Sequence, residues 1–294
     1  MSAQIPISRL TDNTKKRFFS VEFFPPKTEE AATSMMKAAE EIQKLDPAFV
    51  TITYGAGGTT RLRTLDYATR LKDEFGFQVM PHLTCVGHSK NEICKLLEDL
   101  SSRGFCNIMA LRGDPPKGEK NFTPHPDGFH YANELVEFIK SDFPEFSLGV
   151  AGYPDKHPEA STIEADINNL AKKIQAGGDF VTTQLFYDNS VFHSFITKCR
   201  AHGITEPIIP GILPILSLAQ INRFCEMSGS SLPENLIQRL KAAEDDKQVD
   251  VGVEWAFEQT KDLMNVTHGV HLYVLNRSSS TIKLVKKLRD AAIL

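Results

Sequence analysis

The chain has 294 residues, 41% of them hydrophobic and 24% charged, with a formal net charge of −4 at pH 7. This composition supplies enough apolar material for a sizeable core. The slight acidic excess argues against nucleic-acid binding, because such binders usually carry a basic face.

The N-terminal segment lacks an apolar stretch followed by a small-residue cleavage site, so no secretory signal is predicted. No run of about 18 apolar residues occurs, so we expect no membrane span. The five cysteines are scattered and form no C-x-x-C pair, which favours reduced thiols in a cytoplasmic protein. We expect one catalytic domain over residues 1–294, with 1–17 as an N-terminal extension and no regulatory domain.

Eight short runs rich in β-branched and aromatic residues recur along the chain, each followed by a polar loop and a helical pattern. Because such alternation produces parallel strands joined by crossover helices, it predicts an α/β fold, a single (β/α)8 TIM-type barrel with an additional C-terminal helix. An open nucleotide-binding sheet is disfavoured, since the glycines at 55–58 follow the second strand and lack the third position of that motif. The predicted strands are 18–24, 49–55, 78–85, 107–114, 147–154, 180–188, 207–214 and 271–276.

The segments between the runs carry apolar residues at helical spacing, and a last helix is predicted over 281–291. The longest irregular stretch, 115–127, follows the fourth strand and is either a lid or an ordinary surface loop. Ser-x-x-Glu pairs at the starts of helical patterns predict capping boxes. These pairs are Ser89 with Glu92, Ser161 with Glu164, and Ser231 with Glu234.

Polar residues lie at nearly every predicted strand end, where a parallel barrel places its active site. Unpaired buried polar groups cost about 1–3 kcal/mol each, so core packing alone is a poor explanation for them. We therefore expect a ligand site at this end of the barrel. The strand-end residues are Glu22, Thr53, Tyr54, His82, Thr84, Arg112, Gly113, Asp114, Tyr153, Gln184, Tyr187, Asn276 and Arg277.

Glu22 is the residue among them with the most specific predicted role. A carboxylate between Val21 and Phe23 should be poorly hydrated, which would raise its pKa and suit it to act as a general acid near neutral pH. A structural carboxylate that pairs with an arginine or caps a loop is the equally weighted alternative.

Other candidate residues allow more than one interpretation. Asp166, Asn169, Lys172 and Lys173 recur at helical spacing and could hold a ribose and phosphates, or simply form a solvated helix face. His82 could be a base, a cofactor contact or a hydrogen-bonded core residue. No metal site is predicted, because no element carries His, Asp or Glu at ligand spacing.

Several strings, in one order along the chain, resemble the methylenetetrahydrofolate reductase family. One such string alone would be a weak signal, but the ordered set is specific and covers the chain from residue 18 almost to its end. The strings are VEFFPPK at 21–27, VTITYGA at 50–56, PHLTC at 81–85, ALRGD at 110–114, YP at 153–154, HPEA at 157–160, TQLFYD at 183–188, IPGILP at 209–214 and LNR at 275–277.

The resemblance implies a flavoenzyme that binds FAD in an extended form at the strand ends. It implies a ping-pong reaction in which hydride from NADH or NADPH reduces 5,10-methylenetetrahydrofolate to 5-methyltetrahydrofolate, which supplies methyl groups for methionine synthesis. The expected partners are small molecules and further copies of the chain in a homo-oligomer. Another flavin barrel, such as a proline-dehydrogenase-like oxidase, and a non-catalytic folate- or flavin-binding barrel are the alternatives.

The resemblance also implies roles for individual residues. Glu22 corresponds to the general acid that opens the folate ring. Asp114 corresponds to a carboxylate near both rings that tunes the flavin and anchors the pterin. Lys172 stands where many relatives have arginine, and the loop 57–60 varies within the family and bears on donor choice. The other folate-side residues are Gln184, Gln220, Phe224 and Arg277. The FAD-side residues are Thr53, Tyr54, Ala56, His82, Arg112, Gly113, Asp114, Ala132, Tyr153, His157, Ala160, Asp166, Asn169, Lys172 and Lys173.

Overall fold

A computed structural model describes residues 4–11, 16–54, 58–115, 122–228 and 231–294, with the side chains of 58–62 and 226–228 left undescribed. Eight parallel strands pair in chain order, and the first pairs with the last to close a barrel, which confirms the predicted fold. The strands are β1 (Phe18–Phe23), β2 (Phe49–Ile52), β3 (Val79–Thr84), β4 (Asn107–Leu111), β5 (Ser147–Gly152), β6 (Phe180–Leu185), β7 (Ile208–Ile212) and β8 (Gly269–Tyr273).

Helices cover the outside of the barrel, so the strands are shielded on both faces and read as near-continuous apolar runs. Helix α11 follows β8 as the closing helix of the chain, and α8, α9 and α10 lie between β7 and β8 along the chain. The helices are α1 (Ile7–Thr11), α2 (Glu29–Gln43), α3 (Gly58–Phe75), α4 (Lys90–Ser102), α5 (Ala132–Asp142), α6 (Ile163–Gln175), α7 (Asn189–Ala201), α8 (Leu218–Ser228), α9 (Glu234–Ala242), α10 (Gln248–Leu263) and α11 (Ser279–Asp290), with a 3-10 turn at Asp245–Lys247.

One of the three predicted capping boxes is confirmed. The Ser89 hydroxyl accepts from the Glu92 backbone N–H, while the Glu92 carboxylate accepts from the Ser89 N–H. The box at Ser161 is wrong, because the adjacent Thr162 takes the N-cap position and its side chain accepts from the Ala165 N–H.

The box at Ser231 is also wrong. Pro233 occupies the N-cap position of α9 with a φ of −61°, and its fixed φ suits the entry to a helix. The Ser231 hydroxyl instead donates to the Asp155 carboxylate at 3.4 Å. Of the variable loop predicted at 57–60, residues 58–60 form the first turn of α3, and Gly57 lies outside the described residues.

Helix α1 packs at the amino end of the barrel. Ile7 is fully buried in a cluster that includes Phe49 and Phe180, and its N–H donates to the Asn107 side chain at 2.7 Å. Since Phe49, Asn107 and Phe180 each begin a strand, α1 covers that end. Part of the segment 1–17 therefore belongs to the barrel core, and the opposite end is left for a ligand site.

Candidate functional site

A cavity of about 1010 Å³ opens among residues at and beyond the carboxyl ends of the strands. It brings together most of the residues that the sequence singled out, although they are spread over more than 160 positions of the chain. The predicted residues that line it are Glu22, Thr53, Tyr54, His82, Thr84, Arg112, Gly113, Asp114, Ala132, Tyr153, His157, Ala160, Asp166, Asn169, Lys172, Lys173 and Gln184.

Three of the predicted folate-side residues do not line this cavity. Gln220 and Phe224 lie one turn apart on α8, where the side-chain Oε1 of Gln220 accepts from the Leu216 N–H at 2.9 Å. Phe224 packs against an apolar cluster that includes Tyr187. Arg277 is exposed just beyond β8. Ala56 lies outside the described residues, as do positions 116–121 of the irregular stretch 115–127.

Glu22 lies on β1 at the floor of the cavity, with its side chain 18% exposed. Its Oε2 atom is 3.4 Å from the His82 Nε2, 3.6 Å from the His271 Nε2, and accepts from the Thr51 hydroxyl at 3.4 Å. Among the described residues these contacts all fall on Oε2, which leaves Oε1 available to a ligand.

The predicted rise in the pKa of Glu22 is wrong. Burial disfavours the charged carboxylate, but its interaction with His271 and the charges of His82 and His271 outweigh burial, so the pKa of Glu22 lies below its ordinary value. In the part of the chain that the structure describes, no arginine pairs with Glu22, and its charged neighbours are the imidazoles of His82 and His271. The local sequence could not show this, since His82 and His271 come from other strands.

His271 was missed by the sequence analysis. It is fully buried on β8, and its Nδ1 lies 2.8 Å from the Ser20 hydroxyl on β1. Strands β1 and β8 place Ser20 beside His271 and Glu22 beside Tyr273. The sequence does carry a signal for His271. His271 and Tyr273 stand two positions apart in β8, and residues i and i+2 of a strand share one face.

Helix α6 presents all four residues to the cavity, and the interpretation as a simple solvated face is wrong for the half-buried Asp166 and Lys173. The Lys173 ammonium donates to the Ala151 carbonyl at 2.5 Å, and burial lowers its pKa to about 8. The Asp166 carboxylate accepts from the His157 N–H at 2.8 Å. Asn169 and Lys172 are exposed at the cavity wall.

Arg112 is held by a partner that the sequence did not suggest. Its guanidinium forms a two-point ion pair with Glu159 at 2.6 and 2.7 Å and stacks on Phe122, 4.9 Å from the ring centre. The next residue, Gly113, has a φ of +88°, and a Cβ there would lie 2.9 Å from Val86. Only glycine fits this turn without strain, and the turn carries Asp114 to an exposed place on the cavity wall.

Gln184 lies at an irregularity in β6. Between Thr182 and Leu185 the register against β7 shifts, and the Thr183 carbonyl accepts instead from the Tyr273 hydroxyl at 2.8 Å. Such a bulge interrupts the regular pairing of the strands and changes the direction in which a side chain points. Tyr273 therefore stabilises the backbone from which Gln184 reaches the cavity.

The polar groups of the cavity suit a hydrogen-bonding ligand. The lining carries the cations Arg112, Lys172 and Lys173 beside the carboxylates Glu22, Asp114, Glu159 and Asp166. Within the described part of the chain, the buried hydroxyls of Thr84 and Thr182 line the cavity and have no hydrogen-bond partner. Since buried polar atoms are normally satisfied, a polar ligand is the natural partner for both. No group of His, Cys, Asp or Glu among these residues is arranged to hold a metal ion.

The closed parallel barrel and its polar cavity define a (β/α)8-barrel protein with an enzyme-type ligand site at the carboxyl ends of the strands. The sequence profile described as methylenetetrahydrofolate reductase matches residues 7–289. The chain belongs to the methylenetetrahydrofolate reductase family.

Two curated relatives illustrate the similarity. The 5,10-methylenetetrahydrofolate reductase of Escherichia coli is 35% identical over 274 residues, which cover 92% of this chain and 90% of that protein. The methylenetetrahydrofolate reductase (NADH) 1 of Arabidopsis thaliana is 36% identical over 285 residues, which cover 92% of this chain and 48% of that protein. The chain thus spans about half the length of the plant relative.

A solved structure shows the same fold. It is described as an uncharacterized protein from Clostridium thermocellum that binds two copies of 5-methyl-5,6,7,8-tetrahydrofolic acid. The match covers 96% of this chain and 99% of that one, with a TM-score of 0.68 and 16% sequence identity. In the described residues of the present chain, no helix is long and apolar enough to cross a membrane.

Proposed function

We propose that this protein reduces 5,10-methylenetetrahydrofolate to 5-methyltetrahydrofolate, with FAD as cofactor and NADH or NADPH as electron donor, and so supplies methyl groups for methionine synthesis. One observation carries the proposal: the Glu22 carboxylate lies at the floor of a cavity whose wall carries Arg112, Lys172 and Lys173. That arrangement would place a carboxylate that can pass on a proton at one place and a phosphate-binding surface at another. Family membership supports the same reaction.

The cavity residues divide into groups that would hold the cofactor. When bound, FAD supplies the chemistry of accepting a hydride from the nicotinamide and passing it on. Arg112, Lys172 and Lys173 would meet its phosphates, and Asp166 and Asn169 its ribose hydroxyls. The remaining FAD-side residues are Thr53, Tyr54, Ala56, His82, Gly113, Asp114, Ala132, Tyr153, His157 and Ala160.

Glu22 would perform the acid step on the folate. The substrate holds its one-carbon unit between two nitrogens, and protonation of the bridging amine lets that C–N bond break. The electrons of the bond stay on the amine nitrogen, and the carbon becomes an iminium able to accept hydride. A carboxylic acid at Oε1 of Glu22 would deliver that proton.

Asp114, Gln184, Gln220, Phe224 and Arg277 would position the folate. Asp114 is exposed at the cavity wall, where its carboxylate can accept from the N–H groups of a pterin. Gln184 offers an amide at the cavity edge. Gln220 and Phe224 share one face of α8, and binding by that pair requires the substrate to extend from the cavity toward α8.

The names of the relatives leave the donor open, since the Arabidopsis protein is named for NADH and a Caenorhabditis elegans relative for NADPH. Self-association into a homo-oligomer belongs to the same proposal. Another flavin barrel would have no need of the folate-side set around Glu22 and Asp114. A non-catalytic binding barrel would have no need of an acid at the cavity floor.

The test is anaerobic stopped-flow absorbance of the purified protein in the visible band of oxidised flavin. The protein is mixed first with NADH or NADPH and then with methylenetetrahydrofolate. Bleaching by a nicotinamide followed by recovery with the folate is the expected result. Bleaching without recovery would favour another flavin barrel, and the absence of a flavin band after reconstitution with FAD would overturn the proposal.

A further inference from the structure

The exit of β8 is a turn with an unusual backbone. Leu275 and Asn276 have φ values of +49° and +55°, and the Arg277 N–H donates to the Val274 carbonyl at 2.8 Å. Positive φ at both central residues defines a type I′ turn, in which glycine, asparagine and aspartate are the usual occupants. A leucine there is strained, and such strain persists only where the surrounding structure holds it, commonly at a functional site.

The side chain of Asn276 holds this turn. It is buried, its Oδ1 accepts from the Phe24 N–H at 3.1 Å, and its Nδ2 donates to the Phe24 carbonyl at 2.8 Å. One amide thereby satisfies both backbone groups of a residue 252 positions away in the chain. Phe24 directly follows β1, so this pair of hydrogen bonds, the Asn276 clamp, joins the exits of β1 and β8.

The exit of β1 is itself fixed, so it can serve as the anchor of the clamp. The Phe23 carbonyl accepts from the Thr53 N–H at 2.9 Å, and the Arg63 guanidinium donates to the Lys27 carbonyl at 2.9 Å. These bonds tie the segment after β1 to the end of β2 and to α3. Asn276 therefore attaches the strained turn to a segment that is also held from its other side.

The turn carries residues of the proposed folate side. Leu275 packs against the same apolar cluster as Phe224 of α8, and Arg277 is exposed where the turn closes. A guanidinium can form a two-point contact with a carboxylate of the folate. Because the N–H of Arg277 closes the turn, the direction of that guanidinium depends on the conformation that the clamp holds.

The strand order separates the clamp from the proposed cofactor side. In the closed barrel, β8 and β1 are neighbours and lie opposite β4 and β5. Arg112 directly follows β4, and Lys172 and Lys173 belong to α6, which follows β5. A change at Asn276 should therefore affect the folate and leave the FAD in place.

We propose that Asn276 is a positioning residue for the folate, because it holds the strained turn in the conformation that directs Arg277 to the substrate. The inference rests on the proposed function. A segment that is ordered before binding raises affinity, since the ligand does not have to order it. Glu22 lies on a strand that is paired on both sides, so the acid step should not depend on the clamp once the folate is bound.

Asn107 provides a matched control at the opposite end of the barrel. Its buried side chain also bonds two backbone groups of another segment, the Ile5 carbonyl at 3.0 Å and the Ile7 N–H at 2.7 Å. It is the first residue of β4, far along the strand from the cavity. Asn107→Ala therefore removes the same kinds of hydrogen bond as a change at 276, away from the proposed site.

The first experiment compares Asn276→Gly with Asn107→Ala in anaerobic reoxidation of the flavin at increasing concentrations of methylenetetrahydrofolate. Glycine accepts the positive φ at 276 and removes only the amide. In Asn276→Gly the half-saturating folate concentration should rise by about tenfold, the scale expected for losing one or two hydrogen bonds. Its limiting reoxidation rate and its FAD dissociation constant should stay at the wild-type values, and Asn107→Ala should change none of the three quantities.

An unchanged half-saturating concentration in Asn276→Gly would overturn the inference. So would an equal rise in Asn107→Ala, because the effect would then follow from lost stability at either end of the barrel. A fall in the limiting rate alone would place Asn276 in the chemistry rather than in binding, and would overturn the inference as well.

A second measurement uses the wild-type protein loaded with FAD and covers the case in which the variant fails to fold. Amide hydrogen exchange should show the Phe24 and Arg277 N–H groups exchanging as one unit, since opening of the clamp frees both. Addition of 5-methyltetrahydrofolate should slow the exchange of both. Independent exchange of the two amides, or no response to the folate at Arg277, would overturn the inference.

Failure of the proposed function gives a different result. A wild-type protein that neither binds nor reduces methylenetetrahydrofolate would overturn the proposed function, whatever the exchange of the two amides. Wild-type reduction of the folate together with an unchanged half-saturating concentration in Asn276→Gly would overturn only the role of Asn276. The two failures are therefore distinguishable.

Discussion

The guanidinium of Arg112 forms a two-point ion pair with the carboxylate of Glu159, at 2.6 and 2.7 Å, beside the cavity. Arg112 comes from the end of β4, and Glu159 from the segment between β5 and α6. The pair fixes the direction of a cation that would otherwise sample many rotamers. It therefore prepares one side of the proposed phosphate-binding surface before any ligand arrives.

Replacing Arg112 with Lys should weaken FAD binding by about tenfold, because lysine keeps the charge but loses the planar fork and the stacking on Phe122. The measurement is the FAD dissociation constant by fluorescence quenching. The matched control is Arg239→Lys, since Arg239 also pairs with a glutamate and stacks on Trp255, away from the cavity. Wild-type affinity in Arg112→Lys would mean that charge alone matters there.

Lys173 should make FAD binding depend on pH. Its pKa is lowered to about 8 by burial, and a phosphate beside it would favour the charged form. FAD affinity should therefore be greatest below pH 8 and fall as the pH rises above it, since binding must then take up a proton. Lys173→Met should bind FAD more weakly and lose this dependence. A wild-type affinity that stays constant between about pH 7 and pH 9 would contradict the placement of phosphate near Lys173.

Lys173 should also make the stability of the folded protein depend on pH, and here the stability should rise with pH whereas the FAD affinity falls. Without cofactor, the unfolded chain binds the Lys173 proton more tightly than the folded one, because the ordinary pKa is 10.5. Stability should therefore rise with pH between about 8 and 10.5. Urea denaturation at several pH values would show this rise in the wild type and a smaller rise in Lys173→Met. Equal slopes in the two proteins would contradict the lowered pKa.

Gly113→Ala should destabilise the protein more than Gly104→Ala. Both glycines have positive φ, of +88° and +77°, and a Cβ at 113 meets Val86 at 2.9 Å, whereas one at 104 meets nothing within 4 Å. The backbone cost of about 1–2 kcal/mol is common to both, and overpacking adds a further 1–3 kcal/mol at 113. Urea midpoints give the comparison. Equal losses would show that the turn can relax away from Val86.

Asp114→Asn should weaken folate binding and alter the rate of flavin reduction. The substitution keeps the shape of an exposed side chain at the cavity wall but removes its charge and half of its acceptor capacity. Folate affinity is read from the concentration dependence of flavin reoxidation. Unchanged affinity would contradict the role proposed for this carboxylate.

The fold was predictable because its signal is local and repeated. Each strand and helix is marked by its own periodicity, and the barrel follows from their alternation. The predicted strand ends were too long, as at 180–188 against Phe180–Leu185, because the polar residues that end a strand continue into the loop without a break in composition. The eighth strand starts at Gly269 rather than 271, since a glycine gave no strand signal.

The electrostatics of the site were not predictable in the same way. The position of Glu22 at a strand end is local information, whereas its pKa depends on His82 and His271, which the barrel brings from β3 and β8. Glu159 was missed as the partner of Arg112 for the same reason, since 47 positions separate them. Contacts between distant segments depend on register, which a single sequence does not show.

The most direct test of the account is Glu22→Gln in the two half-reactions, measured separately by anaerobic stopped flow. Glutamine preserves the size and the contacts at Oε2 but cannot donate the proton. Flavin reduction by NADH or NADPH should remain near the wild-type rate, and reoxidation by methylenetetrahydrofolate should be abolished. If both half-reactions fell together, or if reoxidation survived, Glu22 would be a structural carboxylate and the proposed acid step would be wrong.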